Sequence, residues 1–209
     1  MLARMQYEDE FALNDVSRDL ANLVSDVTGV ELMKDDILNR YTVWVKYVDG
    51  RSFPSSVLSD GTLRLLALAA IRNDSRFQGL LCIEELENGV NPSYLKDIAH
   101  LLRGLATDFT DSEQIDEPLR QVLVTTHSPA FISQPDARDS LLFAFTVTRV
   151  EPRKYAFQIT VMVPVITTNT QHLFSADEDK GREAYTIHRV KSYLDAESFD
   201  ETRTNLDRR

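Results

Sequence analysis

Two adjacent carboxylates, Glu84 and Glu85, close the apolar run Leu80–Ile83, and the polar turn Ser59-Asp60-Gly61-Thr62 opens an apolar helix upstream of them. Carboxylates at the end of a buried strand need a cation, a donor or a functional reason. One of the pair can hold Mg2+, which prefers oxygen ligands, and the other can orient or deprotonate an attacking water. The plainer alternative is a strand running out into solvent with its acids. In the turn, Ser59 suits an N-cap and Gly61 lets a ligand approach the backbone closely. The following helix would then aim its first amides and positive dipole end at an anion. An ordinary capped helix explains the same residues. A third stretch, Thr125-Thr126-His127-Ser128-Pro129, sets a histidine just beyond another apolar run, where it would either donate to a phosphate or serve a structural turn. His100, His172 and His188 have no partner pattern, and neither HExxH nor CxxC spacing occurs.

The elements that must position these residues follow from periodicity. Residues 8–26 read as one amphipathic helix ended by Thr28-Gly29, and Glu31–Asn39 fits a short helix or a loop. Tyr41–Val48 reads as a strand, with Asp49-Gly50 turning the chain back through Arg51–Pro54. The helix Gly61–Arg72 is apolar nearly all round and should be deeply buried. Leu80–Ile83 and Gln121–Thr125 suit buried parallel strands, with the amphipathic helix Pro92–Leu105 between them and a polar surface loop over Thr107–Leu119. Ser140–Thr148 and Tyr155–Val163 look like an antiparallel pair turning at Glu151-Pro152-Arg153, and a last helix lies within Asp179–Leu194. Strand, helix, strand with polar groups at the strand ends is the pattern of an open α/β sheet that binds ligands at its carboxyl edge. That edge would display Glu84, Glu85 and His127 together.

Length and composition set bounds on this reading. A chain of 209 residues, 43% hydrophobic and 27% charged, supports one soluble domain with a sizeable core. The single cysteine, Cys82, rules out a disulfide framework and suits a buried position in a reducing, cytoplasmic setting. No stretch reaches the length of a membrane span, and the N-terminus lacks a signal-peptide core. A formal charge of −10 argues against DNA binding by this piece alone, because phosphate contacts need clustered Lys and Arg.

Taken in series, LSDGT at Leu58–Thr62, LLCIEE at Leu80–Glu85, ENGVNP at Glu87–Pro92 and TTHSP at Thr125–Pro129 resemble the C-terminal half of an ABC-class ATPase domain. More narrowly they are similar to the RecF/SMC-like group, which includes the overcoming-lysogenization-defect type and predicted AAA-type ATPases of bacterial defence systems. The four stretches look like the ABC signature, Walker B with its catalytic acid, the D-loop and the switch histidine. The resemblance implies a P-loop NTPase-type C-terminal lobe, a mainly parallel sheet with flanking helices and an added antiparallel strand pair. It implies ATP and Mg2+ as ligands, Glu84 as the metal-associated acid and Glu85 as the general base. Ser59, Asp60, Gly61 and Thr62 would meet the γ-phosphate of ATP held by a facing subunit, and His127 the γ-phosphate on its own side. Asn88, Gly89 and Asn91 would bridge the halves of a homodimer sandwiching ATP. Asp60 stands where transporters have glycine, and Glu84 where many relatives have aspartate; both variants are at home in this group.

No GxxxxGK[ST] occurs, and none of the seven glycines precedes a lysine, so the phosphate-cradling loop is expected elsewhere. A P-loop-bearing N-terminal lobe, on the same or a separate chain, is the implied partner, and a nuclease or toxin subunit a further one. Residues 1–195 are expected to form the lobe and 196–209 a charged tail. A non-catalytic ATP-dependent scaffold derived from such an ATPase is the competing reading.

Overall fold

The computed structural model describes residues 1–114, 117–150, 156–166 and 185–194. The chain divides into two compact units, Met1–Thr126 and His127–Arg209.

In the first unit, helices α1 (Leu2–Glu8) and α2 (Ala12–Leu23) replace the single helix expected over 8–26. The break is an Asx turn: the Phe11 amide donates to Asp9 Oδ1 at 2.9 Å, and Phe11 lies 66% exposed rather than on the apolar face. Thr28-Gly29 does not terminate α2. It lies inside β1 (Val27–Asp35), where a register shift between Val27 and Gly29 absorbs the glycine. Of the ambiguous stretch 31–39, residues 31–35 are strand, paired antiparallel with β2 (Arg40–Tyr47), and 36–39 are the turn, in which Asp35 Oδ1 accepts from the amides of Ile37 and Leu38. β3 (Ser52–Pro54) returns alongside β2 as expected.

Next come α3 (Asp60–Arg72), β4 (Gly79–Ile83), α4 (Leu95–Leu105) and β5 (Arg120–Val124), with β4 and β5 paired in parallel. Helix α2 packs on β1, α3 and α4, and α3 on α4. Val16, Leu20 and Leu23 of α2, Leu65 and Ala69 of α3 and Ile98 and Leu105 of α4 are all almost fully buried. The α4 spacing read from the sequence thus forms the core face that supports both neighbouring helices. The parallel strands depart from expectation: Leu80 is 58% and Leu123 52% exposed, and Cys82 is exposed. An apolar run was taken to mean burial on both faces. Only one face of this two-stranded sheet is covered, so alternate side chains point outward.

The second unit opens with short helices α5 (Pro129–Ile132) and α6 (Pro135–Arg138). The expected antiparallel pair is present as β6 (Leu142–Val150) and β7 (Ala156–Ile166), with β8 (Tyr185–Thr186) beside β7. Helix α7 (residues 187–194) packs Val190 and Leu194 with Ile132, Phe143 and Val165 into a small core of its own. The turn at 151–153, residues 179–184, His172 and the tail from 195 lie outside the described residues.

A part-buried ion pair ties the N-terminus of the chain to the end of α3. Asp74 is 5% exposed, and Arg4 Nη2 donates to its Oδ2 at 2.5 Å while the Arg76 amide donates to Oδ1 at 3.0 Å. Burial by itself would raise the Asp74 pKa; the Arg4 hydrogen bond, the Arg76 amide and the nearby positive charges outweigh it and hold the carboxyl below its usual range. A carboxylate depressed in the folded state stabilises the fold above its unfolded pKa of about 3.9, and that stability disappears as pH falls through the folded value. Asp74→Ala should therefore cost about 1–3 kcal/mol in a denaturant titration at neutral pH. The difference between variant and wild type should shrink as both are titrated under increasingly acidic conditions below about pH 4.

Candidate functional site

The start of α3 is built as the sequence suggests. Ser59 is the N-cap: its Oγ accepts from the Thr62 amide at 3.2 Å and lies 2.9 Å from Thr62 Oγ1. Asp60 occupies the first turn and is exposed, where its charge favours the helix but opposes an incoming anion. Gly61 has a different reason to be glycine from the one inferred. It is buried against the backbone of Gly89, and a Cβ on Gly61 would fall inside contact distance of the Gly89 carbonyl oxygen and 2.7 Å from its carbon. The close approach comes from the 85–91 turn, not from a ligand. Gly89 itself has φ +76°, a left-handed conformation natural to glycine.

Glu84 and Glu85 follow β4 directly, and both are exposed. The backbone at Glu85 is left-handed, with φ 44°, an uncommon state for a non-glycine residue that costs about 1–2 kcal/mol. Four groups hold it there. The Glu85 amide donates to Thr125 Oγ1 at 3.3 Å, and Asn88 Nδ2 donates to Glu85 Oε2. The Asn88 amide donates to the Glu85 carbonyl at 3.0 Å, and Arg64 Nη1 reaches the Glu84 and Glu85 carbonyls at 3.3 and 3.0 Å. Leu86, fully buried, pins the turn to the core. The Glu84 carboxylate makes no hydrogen bond or ion pair among the described residues and is available to a cation.

The end of β5 meets the same turn: Thr126 Oγ1 donates to Glu87 Oε1 at 2.9 Å. Thus Thr125 and Thr126 come together with Glu85 and Glu87. His127 is exposed and is the first residue of the second unit. Asn91 caps the 3-10 turn Pro92–Tyr94, its Oδ1 accepting from the Ser93 amide at 3.0 Å. His100 and His188 are exposed.

Reasoning from sequence missed Arg64, and it quoted Glu87, Thr125 and Thr126 within the motif stretches without giving them a role of their own. Arg64 had a visible signal, a cation within the first two turns of a helix otherwise apolar nearly all round. Chemically, the site offers two exposed carboxylates at the carboxyl end of a parallel strand and, on α3, a capped helix start. One or two carboxylates suffice for Mg2+ when phosphates and waters complete the shell, so the donor set fits that ion in the company of a nucleotide. Among the described residues no cluster of three or more His, Cys, Asp or Glu could hold a metal without such help.

Residues 6–133 match the family model described as "AAA domain, putative AbiEii toxin, Type IV TA system". The chain belongs to that family. It therefore carries an AAA-type ATPase domain, and the stretches at 58–62, 80–85, 87–92 and 125–129 all fall within the matched segment. No curated protein matches the chain. Among solved structures, the Smc head domain with a coiled coil and joint from Pyrococcus yayanosii superimposes with a TM-score of 0.53 at 14% identity. The match covers 90% of this chain and 29% of that one, so the likeness is one of fold. An SMC ATPase structure studied for ATP-driven dimerization and DNA-stimulated activation matches at TM-score 0.47 and 11% identity, over 88% of this chain and 100% of the other. Among the described residues no helix is long and apolar enough to cross a membrane.

Proposed function

We propose that residues 1–195 are the C-terminal lobe of an ABC-type ATPase, completed by a P-loop-bearing lobe on the same or a separate chain. The completed unit binds and hydrolyses Mg-ATP in a head-to-tail homodimer, in the cytoplasm, in DNA maintenance or anti-phage defence beside a nuclease or toxin subunit. Residues 196–209 form a charged tail. One observation carries the reading: Glu84 and Glu85 sit at the carboxyl end of a parallel strand pair whose outer face, with Leu80, Cys82 and Leu123, is bare. Parallel sheets are normally covered on both faces, and open α/β sheets bind ligands at this end. A lobe packed on that face would also bring its phosphate loop to the acids.

In this reading Glu85, as a Walker B-type catalytic acid, orients and deprotonates the attacking water. Its left-handed backbone is the kind of strain that collects at functional sites. Glu84 would hold Mg2+, which when bound would supply charge neutralisation at the phosphates. Ser59–Thr62, as an ABC signature, meets the γ-phosphate of ATP held by the facing subunit, and His127 the one on its own side. Asn88, Gly89 and Asn91 form the D-loop contact. Arg64 joins α3 to the turn that carries the acids by donating to the Glu84 and Glu85 carbonyls.

The test is to co-produce the chain with its P-loop lobe and to follow association by light scattering and turnover by phosphate release. ATP-dependent association and turnover are expected, and Ser59→Arg, which fills the phosphate position, should abolish both. Association indifferent to ATP would overturn the reading. ATP-dependent association without turnover in the wild type would favour the scaffold instead.

A further inference from the structure

A cleft of about 580 Å3 lies beside the start of α3 in the first unit, and Ser59 and Thr62 belong to its lining. That volume is in the range of small-molecule sites. The lining residues from the β2–β3 hairpin are chemically unlike these. Phe53 and Tyr47 meet edge to face, with centroids 5.6 Å apart, and the Arg51 guanidinium lies 5.5 Å from the Phe53 centroid. Asp49 fixes that guanidinium, accepting from Arg51 Nε at 2.6 Å and from Nη2 at 2.5 Å. The Arg51 hydrogen bond holds the Asp49 carboxyl below its usual range, and the two contacts to Asp49 orient the guanidinium beside Phe53. Opposite in kind is Asp26, exposed, lining the same cleft, with a carboxylate that makes no hydrogen bond or ion pair among the described residues.

A ligand that suits this cleft carries negative charge at one end only. Phosphates belong at the Ser59 cap and Thr62, because the Asp26 carboxylate beside the β2–β3 hairpin repels them. The hairpin side offers an acceptor for hydroxyl or amino donors at Asp26 and a flat face at the Arg51–Phe53 wall. Carboxylates of this kind accept from ribose hydroxyls in dinucleotide sites, and guanidinium planes stack on bases. A nucleoside triphosphate has this polarity.

We propose that the cleft receives the nucleoside end of the ATP whose terminal phosphate meets Ser59–Thr62, with Asp26 accepting from the ribose hydroxyls and the Arg51–Phe53 wall packing on the base. The inference rests on the ATP sandwich proposed above and deepens it: one lobe reads both ends of the nucleotide held by the other. The strand pair β2–β3 is then a selectivity element for sugar and base.

The assembly of this chain with its P-loop lobe is assayed with ATP, 2′-deoxy-ATP and inorganic tripolyphosphate as a competitor. The wild type should prefer ATP over 2′-deoxy-ATP. Asp26→Ala should raise the KM for ATP about tenfold, the worth of one hydrogen bond to a charged group, and erase that preference. Arg51→Ala, at an exposed side chain, should raise the KM for both nucleotides while preserving their ratio. Inhibition by tripolyphosphate should be unchanged in both variants. An assembly that associates with ATP but keeps its KM and its preference in both variants would overturn the cleft and leave the ATPase reading standing. So would a variant that weakens tripolyphosphate as much as ATP, the mark of a structural defect. A wild type with no ATP-dependent association would remove both proposals together.

Discussion

Glu85→Gln is expected to lower ATP turnover of the completed assembly by about 10²–10⁴-fold, the span of a lost general base, while ATP-driven association persists and outlasts that of the wild type. Glutamine keeps an acceptor for the Asn88 amide and keeps the side-chain length, so the turn that Asn88, Thr125 and Arg64 hold together should survive. What it loses is the ability to take a proton. Phosphate release and light scattering on the same sample separate the two effects. Full turnover in the variant would remove Glu85 from the chemistry. Glu85→Gly gives a complementary reading, because glycine adopts φ 44° at little cost. That variant should be as inactive as the glutamine one, yet lose little or no stability despite the missing Asn88 contact. A marked fall in stability would mean that the left-handed backbone at Glu85 is not a source of strain.

Gly61→Ala is the second large effect, and it is one of packing. The added methyl meets backbone atoms of Gly89, which cannot rotate aside as a side chain would. The start of α3 and the 85–91 turn must separate, at a cost of about 3 kcal/mol, the upper end of ordinary overpacking. Gly104→Ala is the matched control. Its methyl would lie 3.7 Å from Arg72 Nη2, an ordinary contact, and it sits inside α4. There alanine should add about 0.5–1 kcal/mol. Denaturant midpoints of the two variants should move in opposite directions. If Gly61→Ala is neutral, the close approach of α3 to the turn is not a feature of the folded chain.

The local features of the fold were legible in the sequence. The Ser59 cap is a contact between residues three apart, and α4 and the β2–β3 return declare themselves by spacing and by Asp49-Gly50. What was not legible depends on which surfaces meet. Gly61 and Gly89 are separated by a helix and a strand, and nothing near either residue names the other. The exposure of Cys82 follows from how many layers cover β4, a property of the assembly of elements and not of the run LLCI. β1 was missed because its bulge at Gly29 breaks the alternation that would have marked it. The acid pair itself was found, but the residues that hold it, Arg64 and Thr125, come from a helix and a strand distant in the chain.

The bare face of β4 and β5 has a consequence for the cell as well as for the catalyst. Leu80, Cys82 and Leu123 are exposed on a two-stranded sheet whose outer strand edges are unpaired among the described residues, the kind of surface on which further chains pair. Copies of this chain made in excess of whatever covers that face are candidates for aggregation and for proteolysis. In the two-lobe assembly proposed above, the amount of complex would then be set by the scarcer lobe, and a surplus of this one would be cleared and not stored.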